Sequence, residues 1–428
     1  MLYKCQQRIV DSAPEKALFA FDVGCGKTLT AVYHYLKWRR TDDVKLIVFT
    51  PKAKVKEGGW QREIARVEAQ ELITIPYSIR TTDSIKNLTL HEVLYSAFIL
   101  DECHMYKGQS QRGKAFVSLL LQSLQSVALL SATPASNGWD DCKNYFASFG
   151  FSKFLNFGPR SKKYEYKPKY ACYRLETIKA SGGRTRKFNV IDHYLHEDEL
   201  NDAFNSFTYT LDIEEIGELP QRTFQNVSFK PTSIYKAMKK HRVRVLENDV
   251  IEELDSPGKL CHALRKESAT QDKLEYLEVL FESIETNILI FYVYTEHKDA
   301  IKKLALSMGK DVYEISGSVK EIPTQDITNA VVIAQYQAGG AGIELQMCTT
   351  TIMFTPTYSY QDYVQALGRN YGGFRQDKHV HVYQFVCEGI ETEVYDALSN
   401  KQDFSEKLFT VRSEENNETK RVYETSII

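Results

Sequence analysis

Lys27 and Thr28 close the run Phe19-Ala-Phe-Asp-Val-Gly-Cys-Gly-Lys-Thr-Leu-Thr30 and are the residue types that meet a phosphate chain. The run reads as an apolar strand, a glycine turn and the first turn of a helix. In such a turn the backbone amides of Gly24, Cys25, Gly26 and onward to Leu29 close on phosphate oxygens, and the helix N-terminus adds positive potential. Lys27 would neutralise the β- and γ-phosphates, and the Thr28 hydroxyl would be a ligand to Mg²⁺. One position departs from the G-x-x-x-x-G-K-[ST] pattern, because Phe21 stands where the first glycine belongs. A second chemical group, Asp101-Glu102-Cys103-His104, follows the apolar run Val93–Leu100. Asp101 reads as the residue that holds the metal's water shell, and Glu102 as the base that takes a proton from an attacking water. Together and in this order, the two segments predict hydrolysis of a nucleoside triphosphate.

Residues with these tasks need a rigid sheet that presents them on one edge. Apolar runs at Phe19–Val23, Leu46–Thr50, Val93–Leu100 and Val127–Ser131 alternate with helical patterns, which predicts a parallel α/β sheet with right-handed crossovers. The alternation fades after Gly150. Helix-like stretches follow near 196–211 and 234–254, and the pattern resumes at Ile288–Val293, Val331–Ala334, Thr351–Phe354 and His379–Phe385. At 428 residues the chain is too long for one ordinary core. The expected division is a first α/β domain over 1–155, a basic insertion and helical linker over 156–218, a second α/β domain over 219–412 and a polar tail over 413–428. The net charge of −2 gives no global attraction to polyanions, so any such site must be a local patch. Eight cysteines without close pairs exclude a zinc ribbon or a disulfide framework. They fit reduced thiols in the cytoplasm. The N-terminus does not read as a signal peptide, no apolar run approaches a membrane span, and a monomer is expected.

These blocks resemble the superfamily 2 helicases and translocases, which consist of two RecA-like domains in tandem. Gly24-Cys-Gly-Lys-Thr28 resembles motif I of that family, Asp101-Glu-Cys-His104 motif II in its DExH form, and Ser131-Ala-Thr133 motif III. The stretch from Asn137 and Trp139 to Phe149, with Leu219-Pro220, is most similar to the Swi/Snf-type branch and to compact helicase-like proteins encoded by phages. The resemblance implies ATP with Mg²⁺ between the two domains, a nucleic-acid strand as partner, and stepwise movement driven by hydrolysis. It implies an adenine-reading role for Gln6 in Leu2-Tyr-Lys-Cys-Gln6, for which Gln7 competes, and strand contacts by Lys52 and Lys54 in the motif Ia region and by Thr133. Tyr294 and Thr295 occupy the motif IV position. Gln337-Ala-Gly-Gly-Ala-Gly342-Ile-Glu344-Leu345 resembles motif V, which assigns Gly342 to a phosphate. Gln365-Ala-Leu-Gly368-Arg369 resembles motif VI, with Arg369 as an arginine finger. The second arginine of that motif is absent, because position 372 is Gly. Arg375 either takes the vacated role or is an ordinary surface arginine.

The segment from Arg160 to Lys187 concentrates Lys162, Lys163, Lys167, Arg184 and Arg186 among other basic residues, with Tyr164, Tyr166, Tyr170 and Tyr173 interleaved. Basic groups neutralise backbone phosphates and aromatic rings stack on bases, so the segment is either a nucleic-acid contact or a solvated loop. Lys236, Lys239, Lys240, Arg242 and Arg244 form a second candidate patch. DNA is the expected partner and RNA the alternative. A binding scaffold with weak ATPase, motivated by Gly372, is the competing function.

Overall fold

Continuous apolar strands such as Leu46-Ile-Val-Phe-Thr50 are buried along their whole length, as strands covered on both faces must be. They build two separate parallel sheets in the computed structural model. It describes residues 2–135, 138–155, 170–179, 185–216, 221–245, 251–324, 326–339, 345–371 and 379–400. The class is α/β with two six-stranded parallel sheets, as the alternation predicts and as RecA-like domains have.

The first compact unit comprises 1–172, 193–220 and 371–377. Its strands β1 (Lys16–Phe21), β2 (Leu46–Thr50), β3 (Tyr77–Thr81), β4 (Ala97–Asp101) and β5 (Val127–Leu130) are joined through helices. Next along the chain come β6 (Ala171–Lys179) and β7 (Thr185–Tyr194), which form a two-stranded sheet of their own and belong mostly to the second unit. The strand β8 (Thr208–Leu211) then returns to the first sheet, whose order is β3-β2-β4-β5-β1-β8. The stretch read as one helix over 196–211 is therefore a helix at Glu197–Asn205 followed by this strand. The alternating Thr208-Tyr-Thr-Leu211 lacks the apolar run that marks a buried strand, and its partner β1 supplies the register.

Four helices position the chemistry. They are α1 (Lys4–Ser12), α2 (Lys27–Trp38), α3 (Lys52–Glu57) and α4 (Gly59–Glu71). The inner face of α2 carries Leu29, Ala31, Val32 and Tyr35 into a core with Phe19, Phe21, Val48 and Ile99. His34 shares that face, edge-on to Phe19 with ring centroids 5.2 Å apart. Its Nε2 lies 2.7 Å from the Pro14 carbonyl.

Burial pushes the His34 pKa down to about 4. The unfolded chain therefore takes up the proton first. The stability this residue supplies is intact above pH 6.5 and is lost as pH falls through the window from 6.5 to about 4. A gap of that size corresponds to roughly 3 kcal/mol. Chemical denaturation at pH 7, 5.5 and 4 is expected to show the loss in the parent. His34→Gln keeps a donor for Pro14 but cannot titrate, so its profile over that window is expected to be flatter.

The second unit comprises 173–192, 221–370 and 378–428. Its strands are β9 (Arg222–Phe229), β10 (Val243–Val245), β11 (Ile251–Glu253), β12 (Asn287–Tyr292), β13 (Asp311–Ile315), β14 (Ala330–Gln335), β15 (Cys348–Met353) and β16 (Val380–Cys387). The large sheet runs β13-β14-β12-β15-β16-β9, while β10 and β11 pair antiparallel beside it in sequence. Among the described residues, the stretch read as helical over 234–254 is a helix only at Ser233–His241, where Tyr235 and Met238 are buried. Its remainder includes β10 and β11.

Candidate active site on the first unit

Because the first sheet is parallel, the loops after β1, β2, β4 and β5 leave from the same edge, where such sheets hold their ligands. Phe19 of β1 and Asp101 of β4 are both level with Leu130 of β5. One strand thus separates the glycine turn from the acidic pair, a gap of about 10 Å at ordinary strand spacing.

The turn after β1 is shaped by Gly24 (φ +89°) and Gly26 (φ +68°), both left-handed, with Gly26 standing directly before α2. A Cβ on Gly26 would fall 2.5 Å from Gln6 Nε2, so glycine lets the loop pack directly on that side chain. Cys25 points inward, and burial raises its thiol to about 12, which leaves it protonated and inert. Leu29 is buried and Thr28 half-buried at the start of the helix. The Lys27 ammonium donates to the carbonyls of Phe21 and Asp22, each at 2.9 Å. Burial lowers its pKa, and the charge of Glu102 works against that shift.

Gln6 lies buried beneath this loop. Its Nε2 donates to the Cys25 carbonyl at 2.9 Å and its Oε1 accepts from the Tyr3 amide at 2.9 Å. From α1, Gln6 thus braces the loop through the Cys25 carbonyl.

Asp101 ends β4 with its side chain buried. Its Oδ2 accepts from Thr50 Oγ1 at 2.7 Å and from Trp60 Nε1 at 3.2 Å. Sequence reasoning missed both donors. Thr50 ends β2, the strand next to β4, so only the strand order reveals the contact. Trp60 lies 41 residues away on α4, and nothing local in the sequence announces it.

Glu102 takes a left-handed conformation, φ +53° and ψ 51°, which turns the chain sharply after the strand. Lys54 on α3 reaches both acids. Its Nζ is 2.9 Å from Glu102 Oε1 and 3.1 and 3.3 Å from the two Asp101 oxygens. Burial would raise the Glu102 pKa, but Lys54 and then His104 outweigh it and hold the carboxyl at about 2. Burial likewise opposes the charge on Lys54, yet Asp101 and Glu102 raise its pKa. His104 is kept near 4 by burial, hence neutral at pH 7, and its Nδ1 lies 3.1 Å from Ser131 Oγ. Ser131 Oγ in turn accepts from the Thr133 amide at 3.0 Å. The Thr133 hydroxyl is buried with no hydrogen-bond partner among the described residues.

The remaining predicted residues are described each within its own unit. Lys52 is exposed at the start of α3. Arg369 follows the helix Tyr360–Leu367 of the second unit, where its carbonyl accepts from Leu345 N at 3.1 Å. Asn370 Nδ2 ties the same turn to the Cys348 carbonyl at 2.8 Å. Tyr294 donates to the His262 carbonyl and accepts from the buried Arg265, whose guanidinium stacks on Tyr358 at 3.7 Å. Gly342, Arg375, Lys162, Lys163, Lys167 and Arg184 lie outside the described residues, and Arg186 is described only as part of β7.

Among the described residues no three His, Cys, Asp or Glu side chains could hold a metal ion by themselves. A divalent cation at Asp101 would need phosphate oxygens to complete its shell, which is how Mg²⁺ is ordinarily held. The bare glycine turn, Lys27 and an oriented carboxylate on one sheet edge fit that combination. Among the described residues no helix is long and apolar enough to cross a membrane.

Residues 272–371, all but the last of them in the second unit, match the family described as "Helicase conserved C-terminal domain". Over 94% of its length the chain is 22% identical to the DNA repair protein rhp54 of Schizosaccharomyces pombe, and it spans 57% of that protein. It is 21% identical, again over 94% of its length, to the uncharacterized ATP-dependent helicase YqhH of Bacillus subtilis, of which it spans 78%.

Proposed function

We propose that the protein is a nucleic-acid-dependent ATPase of superfamily 2 that uses hydrolysis to move on or remodel DNA. The observation that carries this reading is the pairing, on one edge of the first sheet, of a bare glycine turn bearing Lys27 with the Asp101–Glu102 pair. Amides of the turn and the N-terminus of α2 would bind the triphosphate, and Lys27 would leave the loop carbonyls for its outer phosphates. Asp101, aimed by Thr50 and Trp60, would hold the cation's shell with Thr28. When bound with the nucleotide, Mg²⁺ neutralises charge on the phosphates. Glu102, ionised throughout the physiological range, is in the protonation state a base requires and would take the proton of the attacking water.

The matched helicase C-terminal region and the two relatives support the choice of a nucleic-acid motor over other ATPases. The name of rhp54 as a DNA repair protein favours DNA over RNA. In this reading Arg369 serves as the arginine finger. Gly372 motivates the competing scaffold with weak turnover.

Steady-state ATP hydrolysis by the purified chain, measured alone and with single-stranded, duplex and forked DNA and with RNA, tests the reading. Turnover is expected to rise at least tenfold with DNA, and binding to weaken steeply with salt. Nucleic-acid binding with turnover that stays at its basal rate would select the scaffold. Absence of both turnover and binding would overturn the reading.

A further inference from the structure

Lys54 occupies a place that its reading as a strand contact does not explain. It stands on α3, directly after β2, and its ammonium meets three carboxylate oxygens, Asp101 Oδ1 and Oδ2 and Glu102 Oε1. A lysine ammonium has three N–H donors, so this set can engage all of them. The carboxylate of Asp101 does not depend on Lys54 for its orientation, because Thr50 and Trp60 already fix Oδ2. Among the described residues Asp101 Oδ1 meets only Lys54. The lysine side chain is one quarter exposed, on a flexible four-carbon stem, so the ammonium has a path out to solvent. Those carboxylate oxygens are also the ones a divalent cation or its water shell would use. Two cations cannot share them at hydrogen-bond distance without strong repulsion.

We propose that Lys54 is the resident counter-cation of the Asp101–Glu102 pair, which it closes to free divalent metal and releases when metal arrives together with a triphosphate. The phosphates make the exchange favourable, since they complete the metal's shell and offer the displaced ammonium a new anionic partner. Lys54 thereby makes metal entry conditional on nucleotide. The inference rests on the reading of Asp101 and Glu102 as the metal–nucleotide residues, but its test does not require turnover.

The probe is Mn²⁺ alone, with free Mn²⁺ followed by electron paramagnetic resonance in a titration of the full chain. Lys54→Met is expected to bind Mn²⁺ at least tenfold more tightly than the parent, and Lys54→Arg to behave as the parent. Adding Asp101→Asn to Lys54→Met is expected to abolish the gain. In metal-free buffer the thermal midpoint of Lys54→Met should lie below that of the parent, and Mn²⁺ should raise it by more than it raises the parent's. Equal Mn²⁺ affinity in folded parent and variant would overturn the proposal. So would a Lys54→Met and a Lys54→Gln chain that both fail to fold and are not rescued by Mn²⁺, since Lys54 would then be a structural ion-pair partner only. A parent that hydrolyses no ATP would count against the proposed function and leave the Mn²⁺ result to be read by itself.

Discussion

Glu102→Gln is expected to lower nucleic-acid-stimulated ATP turnover by about 10²–10⁴-fold while nucleotide affinity stays within a few-fold of the parent. The substitution isolates the base from the scaffold. Glutamine keeps the length of the side chain, and its carbonyl can still accept from Lys54, which lies 2.9 Å from Glu102 Oε1. It forfeits the negative charge facing Lys54 and, with it, the capacity to receive a proton. Single-turnover hydrolysis and fluorescent-nucleotide binding, measured on the same preparation, separate the two quantities. If hydrolysis persists at the parental rate, the base lies elsewhere. If binding collapses along with turnover, the residue holds the loop architecture and does not perform the chemistry.

The second large effect belongs to the other unit and to stability. Lys273 and Glu391 form an ion pair that is almost wholly excluded from water, with side chains 1% and 0% exposed. Lys273 Nζ lies 2.8 and 2.7 Å from the two carboxylate oxygens and also donates to the Phe354 carbonyl at 3.1 Å. Glu391 accepts in addition from the Cys387 amide at 2.8 Å. The pair thus joins the helix Thr270–Ser283, the chain beyond β15, the end of β16 and the helix Ile390–Ser399. Glu391→Ala strands an ammonium in the core and is expected to cost about 3–5 kcal/mol, or roughly 10 °C in the unfolding midpoint of this unit. The double replacement Lys273→Met with Glu391→Leu removes both charges, and most of that loss should return. Differential scanning calorimetry of the parent and both variants checks the pair. A single-variant loss below about 1 kcal/mol would mean that water or a rearranged neighbour satisfies Lys273.

The strands legible in the sequence were the inner ones. Apolar runs marked β1, β2, β4 and β5 in the first sheet and β12, β14 and β15 in the second, and the alternating His379–Phe385 marked β16, each shielded by a strand on either side. In the two large sheets the strands that escaped, β3, β8, β9 and β13, are the four edges, and the strands of the two small sheets, β6 with β7 and β10 with β11, escaped as well. Arg222-Thr-Phe-Gln-Asn-Val-Ser-Phe229 shows why. Most of its side chains are exposed, so burial imposes no apolar run, and its eight-residue register comes from β16 alone. The same division holds for the site. Lys27, Thr28, Asp101 and Glu102 carry their signal in local spacing. Thr50, Trp60 and Lys54 act through contacts across 41 to 51 residues, which no local pattern encodes. One strand was also drawn too long, since Val93–Tyr95 belongs to the helix Leu90–Tyr95 that precedes β4.

The position of β8 constrains how the protein can be made. Leu18 through Phe21 pair with Thr208 through Leu211, so the flank of β1 is sealed by residues synthesised almost 190 positions later. During translation the glycine turn after β1 would therefore sit beside an unsealed strand until that late segment leaves the ribosome, an exposure that favours chaperone capture or mispairing. For recombinant work the same geometry argues against a fragment ending near residue 155. A version carried through residue 216 retains the sealing strand and should remain soluble where the shorter one aggregates.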